Sequence, residues 1–184
     1  VEDYGKKKDQ APAATVEAED GYSGMFPEIL QWDERWGYSP YGTSIIAVSG
    51  CGPTCVSMLV VGLTGDKTVT PSVVADYATQ NHYVDENNDT TWAFMTSGVE
   101  HWGLTCRESN GNESEIAKEL EAGHPVICSM RPGDFTDIGH FIILTSYNNG
   151  NVTICDPFSL ENSKKSWNYS QISSQIKAVW VYSK

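Results

Sequence analysis

The pattern that most narrows the fold lies between Pro125 and Tyr182. The stretches PVICSM, HFIILTSYN, NVTICDP and AVWVY are short, β-branched and aromatic, and turn residues separate them, which is how the strands of one sheet read. The middle two flank Asn148, Asn149 and Gly150. An Asn-Gly pair accepts the positive φ that tight hairpin turns need, so at least part of the sheet is antiparallel.

The hairpin also sets a parity. With a two-residue turn at Asn149 and Gly150 and an unbroken ladder, Asn148 pairs with Asn151 and Ile143 faces Asp156, which sends Asp156 to the sheet face opposite His140. A three-residue loop, or an equivalent bulge, places Ile142 opposite Asp156 instead. His140, Ile142, Leu144, Val152, Ile154 and Asp156 then share one face. Because that register also collects apolar residues on one side, the odd-length loop or bulge is the expectation, with a hydrogen bond between His140 and Asp156.

The residues before the strands read as helices. In SGCGPTCVSM, Pro53 suits a first helical turn, so a helix begins near Cys51. Its stripe of Cys55, Val56, Leu59, Val60 and Leu63 predicts a largely buried element that ends toward Gly62 and Gly65. TPSVVADYATQ has Thr70 as N-cap and Pro71 at the first helical position. In DTTWAFMTSGVEHWG, Trp92, Met95, Val99 and Trp102 share a helical face, and Gly103 ends the run. NESEIAKELEAG has Asn112 and Glu115 at capping-box spacing and Gly123 as terminator. Helices followed by an antiparallel sheet make an α+β fold.

The chain of 184 residues is long enough for one domain with a proper core. A formal charge of −12 argues against nucleic acid or an anionic membrane as partner. No apolar run approaches the roughly 20 residues of a spanning helix. Residues 1–24 are polar and charged and read as a tail or linker ahead of a domain over 25–184. If a signal peptide or anchor preceded that tail, the domain would stand outside the cell or on its surface. Five cysteines, with no CxxC pair, leave at least one thiol unpaired within the chain.

Cys51 stands at a helix N-terminus between two glycines. Free N–H groups and the helix dipole favour a thiolate there, and glycines admit close neighbours. A cysteine nucleophile needs a base and a group to orient that base. His140 opens one strand and Asp156 closes the next, whereas His82, His101 and His124 lie in a polar loop or flank helix ends. Cys55, one turn deeper than Cys51, reads as a buried apolar residue.

The order QWDERWGY, SGCGPTCVSM, GHFIIL and DPF resembles the papain-like cysteine peptidases related to the leader-peptide peptidases of bacteriocin exporters, in their stand-alone, secreted bacterial branch. The resemblance spans about residues 29–158, by motif order, and CGPT is its most specific part. It implies a papain-like fold, with N-terminal helices and a nucleophile helix packed on a C-terminal antiparallel sheet. It further implies Cys51 as nucleophile, His140 as base, Asp156 as orienting acid and Gln31 as oxyanion donor. In exporter domains the glutamine stands only a few residues before the cysteine, whereas here a long aromatic stretch intervenes. The implied activity is hydrolysis of a peptide or amide bond in a peptide or protein substrate through a thioester, with no cofactor. Acyl transfer from the same thioester, or an inactive binding or adhesion module, are the alternatives. The chain holds no exporter membrane or ATPase segment, so leader specificity is not carried over.

Three further motifs fall short. GLTGDKT echoes a phosphate loop, but Asp66 interrupts the Gly-Lys-Thr. DENNDT begins like a calcium loop, yet Thr90 and Thr96 stand where glycine and glutamate belong. Cys51, Cys55 and His140 could meet at zinc, but no fourth ligand is evident.

Overall fold

The computed structural model describes residues 9–184. Two short hairpins, β1 (Tyr22–Ser23) with β2 (Phe26–Pro27) and β3 (Pro40–Tyr41) with β4 (Ser44–Ile45), lead into the helices α1 (Ile46–Ser49), α2 (Cys51–Thr64), α3 (Pro71–Gln80) and α4 (Trp92–Thr96). A 3-10 turn follows at Gly98–Trp102. After β5 (Thr105–Ser109) and α5 (Glu113–Glu121) come β6 (Val126–Met130), β7 (His140–Asn148) and β8 (Asn151–Cys155). The chain closes with α6 (Leu160–Ser163), β9 (Ser166–Asn168), α7 (Tyr169–Ser173) and β10 (Ile176–Ser183). The six strands from β5 onward form one antiparallel sheet in the order β5-β10-β6-β7-β8-β9. The fold is α+β, as expected.

Both faces of the sheet are covered. Ile127, Phe141, Ile143, Cys155 and Trp180 pack against Cys55, Val56, Met58 and Leu59 of α2. Cys128, Ile142, Leu144, Val152, Ile154 and Val181 pack against Ile116 and Leu120 of α5 and Ile172 of α7. This corrects the expectation of a single apolar face. With apolar residues on both sides, alternation in burial carries no information on register, and side-chain contacts choose it instead.

The hairpin resolves the parity question by the bulge. Asn148 pairs with Asn151 across a two-residue turn with Asn149 at φ 50 and Gly150 at φ 84. The register then shifts between Leu144, opposite Ile154, and Ser146, opposite Thr153, which leaves Thr145 as an extra residue. Thr145 Oγ1 lies 2.7 Å from Thr153 Oγ1 and 2.6 Å from Ser23 Oγ, and Ser146 Oγ also meets Thr153 Oγ1, at 2.5 Å. One threonine thus serves two consecutive hydroxyls across the bulge. Beyond it Ile143 faces Cys155, so Ile142 stands across from Asp156.

Local sequence signals fare unevenly. Thr70 Oγ1 accepts from Val73 N–H, and Gly65 at φ 76 ends α2, as the spacing predicts. Residues 92–102 are not one helix: Phe94 fills the space that a Cβ on Gly98 would need, and the chain tightens into the 3-10 turn. The capping box at Asn112 is half made. Asn112 Oδ1 accepts from Ser114 N–H, but the Glu115 carboxylate turns to Arg107 at 2.6 Å.

The segment expected as a tail is laid along the domain in its described part, and residues 1–8 lie outside the described residues. Val16 is fully packed in the core, its N–H donates to Lys67 O at 2.8 Å, and Ala13 N–H donates to Arg35 O at 2.9 Å. A single well-placed valine is too weak a pattern to reveal burial in a polar stretch.

Candidate active site

Cys51 opens α2, and its neighbours explain the glycines around it. A Cβ on Gly50 would lie 2.5 Å from Ile46 Cγ2 and 2.6 Å from Ile46 O, while one on Gly52 would collide with Thr90 Oγ1. Thr90 is in turn held by the hydroxyl of buried Tyr41. Pro53 sits in the first turn, where its missing N–H costs nothing. Residues 52–61 of the helix are all buried, so Cys51 is presented on a rigid element.

His140 is the first residue of β7. The Thr136 hydroxyl before it accepts the N–H groups of Ile138 and Gly139, which folds the approach into a tight turn. Asp156 follows the last residue of β8 and is 2% exposed. The imidazole Nε2 donates to Asp156 Oδ1 at 2.7 Å, and Cys51 is the other side chain that acts on the ring, raising its pKa. Alternation alone aligns His140 and Asp156 with the α5 side, but both stand at strand ends, at the rim of the sheet where the start of α2 arrives.

Burial works against charging His140, yet the Asp156 carboxylate and Cys51 outweigh it and push the imidazole up to about 10. The imidazolium is therefore the favoured form of His140. Burial pushes the Cys55 thiol up instead, and its Sγ is turned to Phe141 O at 3.4 Å. Cys55 thus fits the reading of a buried apolar residue. All five cysteines are free thiols.

Gln31 is buried, at 3% exposure, while Trp32 beside it is half exposed. Its backbone N–H donates to Pro157 O at 2.7 Å, which ties this segment to the turn after Asp156. Its side-chain Nε2 lies 3.4 Å from Ile46 O and 3.3 Å from Ala47 O, on the short helix before Cys51, and its Oε1 has no partner. The structure brings Cys51, His140 and Asp156 together and leaves Gln31 alongside, outside the lining of the cleft. That cleft, about 270 Å³, is lined by Cys51, His140, Thr90, Trp92, Ser129 and Ile138 among others. The sequence placed Trp92 on an apolar helical face and Thr90 in a turn and gave no sign that either lines the cleft, because their approach to Cys51 is a tertiary contact.

Among the described residues no group of three or more His, Cys, Asp or Glu is placed to hold a metal ion, and no helix is long and apolar enough to cross a membrane. Asp85 Oδ1 receives the N–H groups of Asn87 and Asp89, so DENNDT is a tight turn closed on itself.

The peptidase domain of Streptococcus ComA, a bifunctional ABC transporter of a quorum-sensing pathway, shares the fold. Its TM-score is 0.57 at 12% identity, covering 74% of this chain and 93% of that one. A C39-like peptidase of Bacillus anthracis aligns over 92% of this chain and 97% of its own at 17% identity, with a TM-score of 0.44. No curated protein matches the chain. The model of the "Peptidase_C39 like family" matches residues 7–184, from before the first described strand to the residue after β10. With that match running through the Cys51 helix, the His140 strand and the Asp156 turn alike, the chain belongs to the Peptidase_C39-like family.

Proposed function

We propose that the protein is a cysteine peptidase or amidase that cleaves a peptide or protein substrate through a thioester on Cys51. The observation that carries this reading is His140 held between Cys51 and Asp156, with the imidazolium favoured. Cys51 gives its proton to His140, and the thiolate attacks the substrate carbonyl carbon. The first-turn N–H groups of α2 face the oxyanion, and Gln31 Nε2 exchanges its two long bonds to Ile46 and Ala47 for it. His140 then protonates the leaving nitrogen as the C–N bond breaks. Water attacks the thioester, His140 takes its proton, and Cys51 is released. Exposed Trp92 and Ile138 give the cleft an apolar wall for a substrate side chain.

Iodoacetamide at mildly acidic pH, followed by mass mapping, is expected to modify Cys51 before Cys55, Cys106, Cys128 or Cys155. Cys51→Ala is expected to abolish turnover of a peptide mixture with the fold intact. Gln31→Ala is expected to lower kcat by about 10² to 10³ with KM little changed. Faster labelling of another cysteine, or turnover by Cys51→Ala, overturns the reading.

A further inference from the structure

The Asp156 carboxylate has more to hold it than His140. Its Oδ1 receives both His140 Nε2 at 2.7 Å and Phe158 N–H at 2.9 Å. Its Oδ2 receives the side-chain amide of Asn162, Nδ2 to Oδ2, at 3.0 Å. At 2% exposure water cannot take over either oxygen freely, and an unfilled lone pair there is costly. We propose that Asn162 is a positioning residue of this site, which fixes the rotation of the Asp156 carboxylate so that Oδ1 stays aimed at His140. This rests on the peptidase reading.

The local fold supplies Asn162 for this task. Helix α6 is a single turn capped by Ser159, whose hydroxyl accepts from Asn162 N–H at 3.1 Å, and Asn162 O accepts from Trp167 Nε1 at 3.0 Å. Ser163 Oγ accepts from Asp156 N–H at 2.8 Å. The main chain of Asn162 is therefore anchored by bonds that a change of side chain leaves in place, and its amide is free to serve the carboxylate. The charged groups around this corner are paired with each other. Lys164 lies 2.6 Å from Glu28 and Lys165 lies 3.2 Å from Glu161, so the titratable group bonded to Asp156 is His140, and the buried thiols of Cys55 and Cys155, both pushed up by burial, are the others that feel its charge. An amide can donate to Oδ2 at every pH without adding charge. A carboxyl group in its place donates only while protonated.

The test measures the rate of Cys51 alkylation by iodoacetamide and kcat on a cleaved peptide from pH 4 to 9, alongside thermal stability. Asn162→Ala is expected to lower kcat about 10- to 100-fold with KM within about twofold, the cost of a misdirected base. Its half-maximal alkylation is expected to move to higher pH. In Asn162→Asp the ratio of variant to wild-type rate is expected to fall as pH rises, because two carboxylates 3.0 Å apart hold a shared proton only toward acid pH. Rates in both variants that match wild type, or that fall uniformly with pH in step with lost stability, overturn the proposal. If the wild type cleaves no peptide while Cys51 alkylation still depends on Asn162 in this way, the peptidase reading fails and the positioning role stands.

Discussion

At the residue scale, the site is an imidazole whose charge the fold sets. His140 carries a folded-state pKa near 10 against about 6.5 for a free histidine. Its protonated form is thus the one the fold favours. The resulting stability is complete below about pH 6.5 and is lost as pH rises through the folded value. Urea unfolding from pH 6 to 10 is expected to show the gap between wild type and His140→Ala closing across that window. A gap that stays constant contradicts the assigned pairing. Cys51, His140 and Asp156 were legible in the sequence because each stands at the start or end of a recognisable element. Asn162 was not, since it stands six positions beyond Asp156 on the single-turn helix α6 and its amide reads as an ordinary surface side chain.

At the element scale, the β7–β8 hairpin decides whether Asp156 can reach His140. Parity demanded an odd residue, and the chain places it at Thr145 within the strand while keeping the two-residue turn. An Asn-Gly turn is a local signal, but a bulge depends on which hydroxyls meet across strands, here Thr153 with Thr145 and Ser146, and Ser23 from β1 with Thr145. Gly150 sits at φ 84 with nothing nearer to a built Cβ than Glu113 Oε1 at 3.9 Å. Gly150→Ala is therefore expected to cost about 1 to 2 kcal/mol from backbone conformation alone. Urea unfolding measures it, and a neutral effect excludes the left-handed turn.

At the scale of the whole molecule, the described part of the N-terminal segment packs on the domain. Val16 lies in the same core as α2, and Lys164 Nζ reaches Asp20 O at 2.8 Å as well as Glu28. Val16→Ala is expected to lower stability by about 2 kcal/mol in urea unfolding, against no change for a solvated tail. What the sequence determined by itself is what short-range physics controls: the proline-started helix behind Cys51, the strands with His140 and Asp156 at their ends, and the α+β class that follows from helices before strands. The tertiary structure alone decided the rest. The bulge contact to Ser23, the burial of Gln31 against α1 and the seat of Thr90 on Gly52 join residues distant in the chain, and the Asn162 bond to Asp156, only six positions apart, forms once the α6 turn folds back on the strand end. Their partners are chosen by packing in three dimensions, and no local periodicity encodes that choice.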